Sequence, residues 1–174
     1  NEEGGIEPSL NDICKIMSET ELTYEIIVVN DGSTDRTVEI ASKVEGVIII
    51  DLPVNRGYGA ALKTGIRAAK YDVIVITDAD GTYPANRIPD LVENLGRFDM
   101  VVGARIGENV SIPNIRKPAK WALRVLSAYL AGRKIPDLNS GLRVIKKELV
   151  QRFEHLLPSG FSFTTTITLA ALCT

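Results

Sequence analysis

Short apolar runs that alternate with helix-like segments constrain the fold of this chain more than any other feature. Runs rich in Val and Ile occupy residues 25–30, 47–51, 72–77 and 99–103, and apolar residues at helical spacing follow the first three. A strand that is apolar at consecutive positions is buried on both faces, as in a parallel sheet covered by helices. The alternation therefore predicts an α/β fold with a mainly parallel sheet.

The second half of the chain predicts a different mixture of elements. Its patterns indicate a long helix over residues 115–131 and a strand over 140–145, for which an antiparallel direction is one option. Helices are expected over residues 147–153 and at the chain end. Because no repeat, low-complexity tract or linker interrupts the 174 residues, we expect one domain spanning residues 1–174.

Charge is distributed unevenly along the chain. The overall net charge of −2 gives no reason to expect nucleic acid as a partner. Between Arg105 and Lys134, however, seven residues are basic and one is acidic. Such a strip indicates an anionic partner at one face, although the solvated side of an amphipathic helix would have the same composition.

The cysteines and the hydropathy of the chain bear on its cellular compartment. Cys14 and Cys173 are too few and too far apart to form a disulfide framework, which indicates a reducing environment. No run of about 18 apolar residues occurs, so we expect no membrane-spanning helix within this sequence. Together these features favour a cytoplasmic location.

Polar clusters follow three of the predicted strands directly. They are Asn30-Asp31, Asn55-Arg56 and the pair Asp78 and Asp80. In open α/β sheets, ligands bind beyond the carboxyl ends of the strands, so we expect the three clusters to form one site. Each cluster taken alone is also compatible with an ordinary turn or an exposed loop. The chain has neither the Gly-x-Gly-x-x-Gly turn nor the Gly-x4-Gly-Lys phosphate loop.

The Asp78-Ala79-Asp80 turn is the strongest candidate for a metal site. Two carboxylates this close repel each other unless a cation or hydrogen bonds intervene. Carboxylate oxygens suit Mg²⁺ or Mn²⁺, which commonly bridge to the phosphates of a substrate. A solvated acidic turn ahead of the next helix is the alternative.

Four segments taken together resemble the family 2 glycosyltransferases. They are residues 25–35, 55–57, 78–80 and 137–143, the last reading Asp-Leu-Asn-Ser-Gly-Leu-Arg. Within that family the chain is similar to polyprenol-phosphate sugar transferases, such as the dolichol-phosphate mannose synthases. The resemblance covers nearly the whole chain and implies a GT-A fold, a three-layer α/β sandwich with a mainly parallel central sheet.

The resemblance implies roles for residues that would bind the sugar-nucleotide donor. Asp80 would be the main ligand of Mg²⁺ or Mn²⁺ on the diphosphate, and Asp78 would contact the nucleotide at its ribose while contributing to the metal site. Asp31 would contact the nucleoside, and Glu3 would lie in a segment that touches the base or ribose. The loop carrying Asn55 and Arg56 belongs to the same substrate-binding surface.

The resemblance also implies roles around the transferred sugar and the acceptor. Asp137, Ser140 and Arg143 match the Asp-x-x-Ser-Gly-x-Arg segment near the donor sugar and the acceptor, and Asp137 and Arg143 would take part in catalysis with Asp80. The lipid phosphate of the acceptor would be bound by basic residues of the strip, namely Arg116, Lys117 and Arg124.

The chain departs from the family pattern at both ends. Family members begin with an apolar strand, whereas only Asn1-Glu2-Glu3 of that region is present here. The sequence also stops before the usual Arg-x-x-Gly-x-Ser-Lys segment, which binds phosphate. We therefore expect a catalytic domain that is truncated at both ends and lacks its first strand, with any membrane helices lying beyond residue 174.

The implied reaction is inverting transfer of a hexose from a UDP- or GDP-sugar to a polyprenyl or dolichyl phosphate, by an enzyme peripheral to the cytoplasmic membrane face. Three other interpretations stay open at this stage. The acceptor is a saccharide or a protein in the first, the chain is a catalytically inactive nucleotide-sugar-binding relative in the second, and it is a nucleotidyltransferase in the third.

Overall fold

The computed structural model describes residues 1–105, 132 and 135–173. The helices of these residues are α1 (Ile6–Ser18), α2 (Thr37–Ala41), α3 (Tyr58–Ala68), α4 (Ile88–Asn94), α5 (Lys147–Phe153) and α6 (Phe163–Leu172). The strands are β1 (Ile26–Asp31), β2 (Val47–Leu52), β3 (Val73–Ile76), β4 (Met100–Val102) and β5 (Arg143–Lys146). Short 3-10 helices cover Ala85–Arg87, Leu95–Arg97 and Glu154–Leu156.

The strands form two ladders. β1 and β2 pair in parallel, with Ile26 opposite Val47 and Asp31 opposite Leu52. β5 lies between β3 and β4 and is antiparallel to both, so β3 and β4 run in the same direction. Within the described residues β1 and β3 do not pair with each other. The expected absence of a first strand stays a prediction.

Helices cover both faces of the β1–β2 ladder. Val28 packs with Ile6 and Ala41, from α1 and α2, whereas a Cβ at Gly65 of α3 would touch Val29. Since successive residues of a strand point to opposite faces, these contacts place α1 and α2 on one side and α3 on the other. This arrangement confirms the predicted α/β fold with helices on both sides of a parallel pair.

A second, larger core lies on the antiparallel ladder. It joins side chains from α3, β3, β5, α5 and α6, including Ile66, Ile74, Ile145, Leu149 and Phe163. Phe163 and Ile145 have no exposed surface. The antiparallel direction allowed for the strand near residue 143 is therefore the one observed, and it places the start of β5 beside the end of β3.

The helix after β1 differs from its prediction. The sequence predicts that Ser33 or Thr34 caps a helix running to about Val44, but α2 begins at Thr37 and has no side-chain cap. Asp35 explains the later start, because its carboxylate accepts hydrogen bonds from the backbone and hydroxyl of Thr37 at 3.1 and 2.5 Å. These bonds hold residues 33–35 outside the helix.

Two further predictions concern a membrane-spanning helix and the helix that carries the basic strip. Among the described residues, no helix combines the length and the apolar character that crossing a bilayer requires. The helix predicted for residues 115–131 lies outside the described residues.

Candidate active site

The turns that follow β1 and β2 are in direct contact. Asp31 accepts hydrogen bonds from the backbone N–H groups of Arg56 and Gly57, at 2.7 and 2.8 Å. A side chain at Gly32 would lie within 2.7 Å of the Asn55 nitrogen, so the two turns touch through their backbones. Asp31 therefore fixes the start of α3 with both of its carboxylate oxygens.

The third cluster adjoins the first two through Tyr58. This residue begins α3, and its hydroxyl donates a hydrogen bond to Asp78 at 3.4 Å. The structure thus brings the three strand-end clusters to one edge, as their positions after the strands predicted. Asn55 and Arg56 are exposed at this edge, and Arg56 takes part in it through its backbone N–H.

Asp78 is half-buried and tightly enclosed. A Cβ at Gly141 would overlap its carboxylate, so this glycine is required for the observed approach. Burial raises the pKa of Asp78, and the neighbouring Asp80 carboxylate raises it further. Burial also raises the pKa of Tyr58 far above its usual value, with Asp78 adding to the effect. Tyr58 therefore stays protonated and able to donate to Asp78.

Asp80 is the exposed member of the pair. Its carboxylate accepts the backbone N–H of Thr82 at 2.9 Å and otherwise faces a cavity of about 300 Å³. The residues that line the cavity include Gly4 and Gly5, which precede α1, and Tyr83. A larger cavity of about 630 Å³ opens at the other end of β3, away from the strand-end clusters. We assign the site to the smaller cavity because Asp80 lines it.

The donor set at this turn fits a divalent cation that is shared with a substrate. Asp78 and Asp80 offer carboxylate oxygens, and Asp80 has room beside it. In the described part of the chain, no group of three His, Cys, Asp or Glu residues could hold a metal without a substrate. Mg²⁺ is commonly bound in this way, by one or two carboxylates together with substrate phosphates and water.

The first three residues dock on the loop before α2. Thr34 donates its N–H to the Asn1 side chain at 2.7 Å, and Glu3 donates its N–H to Asp35 at 3.2 Å. The Glu3 carboxylate accepts the Arg36 N–H at 3.2 Å and lies 3.5 Å from the Arg36 side chain. Glu3 is thus held beside the turn that follows β1, while its neighbours Gly4 and Gly5 line the cavity.

Arg105 is a further candidate for the site, which the sequence identified only as the first residue of the basic strip. Its guanidinium donates to Asp137 at 2.8 Å and lies 5.7 Å from the ring centroid of Tyr83. Burial raises the pKa of Asp137, but hydrogen bonds from Arg105 and Asn139 outweigh it, so the pKa lies below its usual value. Arg105 follows β4 closely, and the rule that identified the other clusters would also have identified it.

Ser140 and Arg143 lie beneath the site with no exposed surface. Arg143 donates to the Ser140 carbonyl at 2.6 Å, to the Thr164 carbonyl at 3.3 Å and to the Thr168 hydroxyl at 3.1 Å. The Ser140 hydroxyl donates to the Gly103 carbonyl at 2.6 Å. In this arrangement the two side chains support segment 137–143 from below, between β4 and α6, and do not reach the cavity.

The predicted ligands of a lipid phosphate, Arg116, Lys117 and Arg124, lie outside the described residues. Their role stays a prediction. Arg105 is the residue of the basic strip whose side chain the structure describes. It faces the same edge as Asp78, and the negative charge of Asp78 helps to raise the pKa of Arg105.

Known proteins resemble this chain in sequence and in fold. The sequence profile of glycosyl transferase family 2 matches residues 1–153. A dolichyl-phosphate hexose transferase of Haloferax volcanii is 34% identical over 93% of this chain and 69% of its own length. A dolichol-phosphate mannosyltransferase of Pyrococcus furiosus is 34% identical over 80% of this chain, which spans only 42% of that relative.

A solved structure of glucosyl-3-phosphoglycerate synthase from Mycobacterium tuberculosis, with Mn²⁺, UDP-glucose and phosphoglyceric acid, has the same fold. It superimposes with a TM-score of 0.73 at 26% identity and covers 97% of this chain, which spans 60% of that one. The family match, the relatives and the shared fold agree with the α/β fold described above. The chain belongs to glycosyl transferase family 2.

Proposed function

We propose that the protein transfers a hexose from a UDP- or GDP-sugar to a polyprenyl phosphate, with inversion at the anomeric carbon and with Mg²⁺ or Mn²⁺ at the Asp78–Asp80 turn. The observation that carries the proposal is the exposed Asp80 carboxylate. It faces a cavity at the carboxyl edge of the strands and is paired with a half-buried Asp78. The names of the H. volcanii and P. furiosus relatives support a dolichyl phosphate as the acceptor.

We assign the two aspartates to different parts of the sugar-nucleotide donor. Asp80 is the more exposed, so we assign it the larger share of the metal, while Asp78 contacts the nucleotide at its ribose and completes the site. When bound, the divalent cation neutralises the diphosphate that leaves with the nucleoside. The fold relative that contains Mn²⁺ with UDP-glucose supports a divalent cation and a nucleotide sugar as ligands of this site.

Arg105 is well placed for an acceptor phosphate. Its guanidinium is oriented by Asp137 and by the Tyr83 ring, and it remains partly exposed. Arginine binds phosphate oxygens through two N–H groups at once. Because Nε and Nη2 of Arg105 already donate to Asp137, at 2.8 and 3.3 Å, the phosphate would bind at the Nη1–Nη2 end of the guanidinium. We therefore assign Arg105 to the acceptor phosphate, together with the predicted Arg116, Lys117 and Arg124.

The reaction needs positioning more than proton transfer. An oxygen of the acceptor phosphate attacks the anomeric carbon as the bond from that carbon to the diphosphate oxygen breaks. The nucleoside diphosphate leaves with the bonding electrons. Because a phosphate monoester is already anionic at neutral pH, the attacking oxygen has no proton to lose, and the site has no need of a general base.

A saccharide acceptor is the second candidate, and the state of Asp137 weighs against it. A sugar hydroxyl has to lose its proton as it attacks, which calls for a carboxylate base beside it. Asp137 is the acidic residue of segment 137–143, but it is ion-paired with Arg105 and its pKa is lowered. A carboxylate in that state is a weak base, so the phosphate acceptor fits the site better.

Product formation tests the proposal. Full-length protein, a nucleotide sugar labelled in the hexose, a polyprenyl phosphate and Mn²⁺ should yield label that partitions into organic solvent. We expect EDTA to abolish this label and added Mg²⁺ or Mn²⁺ to restore it. Label that appears only on an added oligosaccharide would replace this function with the second candidate. Nucleotide binding without any transfer would identify an inactive relative.

The proposed location of the enzyme at a membrane surface follows from the nature of the acceptor. A polyprenyl phosphate is anchored in a bilayer, so the catalytic domain has to work at a membrane surface. We propose that residues 1–174 form one catalytic domain that acts peripherally at the cytoplasmic face. Co-sedimentation with vesicles that contain a polyprenyl phosphate measures this association directly.

A further inference from the structure

Phe161 is an aromatic residue in an unusual position. It is 83% exposed, more than any other large hydrophobic residue in the described part of the chain. It stands between the loop Pro158–Gly160 and the start of α6 at Phe163. Single exposed apolar residues are common, so exposure alone assigns it no role.

The ring of Phe161 is stacked on Tyr58. The ring centroids are 5.6 Å apart and the planes differ by 13°, which is an offset stacked pair. Tyr58 in turn donates its hydroxyl to Asp78. The carboxylate, the tyrosine and the phenylalanine therefore form a row that starts at Asp78 in the candidate site and ends at an open aromatic face.

The loop that carries Phe161 is clamped to the start of α3. Gly57 has a φ of +96°, and a side chain there would lie 2.7 Å from the Ser159 carbonyl oxygen. A Cβ at Gly59 would overlap the Pro158 carbonyl oxygen. Ala60 donates its N–H to the Ser159 carbonyl at 3.0 Å. The exposed ring is thus held in place by its own loop as well as by the stacking.

An exposed ring that is held in one position is well suited to bind an apolar ligand. Because its position is already set, a ligand that packs on it loses little further conformational entropy of the protein. The other groups identified at this edge are charged, namely Asp78, Asp80, Arg105 and Asp137. The two rings therefore provide an apolar surface next to charged groups. A ligand with a phosphate joined to an apolar chain would match this arrangement.

We propose that Phe161, supported by Tyr58, is the surface on which the first isoprene units of the acceptor pack next to the acceptor phosphate. The assignment rests on the proposed function, because it specifies how the apolar part of that acceptor is recognised. It makes Phe161 a determinant of acceptor specificity that takes no part in the chemical step.

Binding of farnesyl phosphate, measured by calorimetry on full-length protein without donor, tests the assignment. We expect Phe161→Ala to weaken this binding about tenfold, the size that loss of an aromatic contact commonly has. Phe161→Leu should retain most of the affinity because it keeps an apolar side chain. Leu156→Ala is the matched control, since Leu156 is also exposed, at 55%, and is not part of the stack. It should bind as the wild type does.

Two further measurements separate the possible outcomes. Inorganic phosphate should bind equally to the wild type and to Phe161→Ala, since it has no apolar chain. Equal binding of farnesyl phosphate by the two proteins would overturn the assignment, and so would a loss of UDP or GDP affinity in Phe161→Ala. A wild-type protein that transfers no sugar to any polyprenyl phosphate would instead contradict the proposed function.

Discussion

Replacing Asp80 by Ala is expected to lower kcat/KM for sugar transfer about a thousandfold while leaving the protein folded. The carboxylate is exposed and faces the cavity, so its removal creates no void in the core. The loss removes the principal proposed ligand of the metal on the leaving diphosphate. Stabilisation of that charge is worth several kcal/mol, and each ~1.4 kcal/mol is a factor of ten in rate.

Initial rates at several Mn²⁺ concentrations give the measurement, with Asp90→Ala as the control. Asp90 is also an exposed aspartate, on α4, but its carboxylate is 3.4 Å from Arg87 and outside the cavity. The control should retain its rate and its dependence on Mn²⁺. Unchanged turnover in Asp80→Ala would remove the metal role from this turn.

Gly59→Ala is expected to reduce the free energy of unfolding by about 3 kcal/mol, at the upper end of what overpacking commonly costs. The added methyl group would overlap the Pro158 carbonyl oxygen and lie 2.9 Å from the Ser159 carbonyl carbon. Both neighbours are backbone atoms, which cannot turn aside as a side chain can. Either α3 or the loop that carries Phe161 has to move.

Urea unfolding compares this variant with Gly96→Ala. Gly96 lies in the 3-10 helix after α4, where an added methyl group would meet no atom within 4 Å and the φ is not positive. Its replacement should be neutral or raise stability by up to about 1 kcal/mol, through the lower entropy of the unfolded chain. Equal stability of the two variants would show that the clamp between α3 and the loop is looser than the structure describes.

The strands and most helices were predictable because their signals are local. Consecutive apolar residues mark β1 and β2 whatever surrounds them, and the polar turns after the strands come together because parallel strands end at one edge. The start of α2 was not predictable in the same way. Ser33 and Thr34 are good capping residues, but they bond to Asn1, while Asp35 accepts the hydrogen bonds of Thr37 at the start of the helix.

The roles of buried polar residues depend on contacts that no local pattern reveals. The family resemblance makes Arg143 a candidate for a role in the reaction, and in the structure its guanidinium donates to carbonyl groups of Ser140 and of Thr164 in α6. Similarly, no local signal in the sequence marks Tyr58, whose hydroxyl the fold brings to Asp78. The bonds to Thr164 and to Asp78 join residues that are far apart in the sequence, so no local pattern could predict them.

The anomeric configuration of the product bears most directly on the proposed reaction. The full-length protein would be incubated with a nucleotide sugar whose hexose is α-linked, a polyprenyl phosphate and Mn²⁺, and the lipid product analysed by proton and phosphorus NMR. We predict a hexose joined to the polyprenyl phosphate in the β configuration. An α-linked product would contradict inversion by direct attack of the phosphate, and the absence of a hexose on the lipid would contradict the proposed function itself.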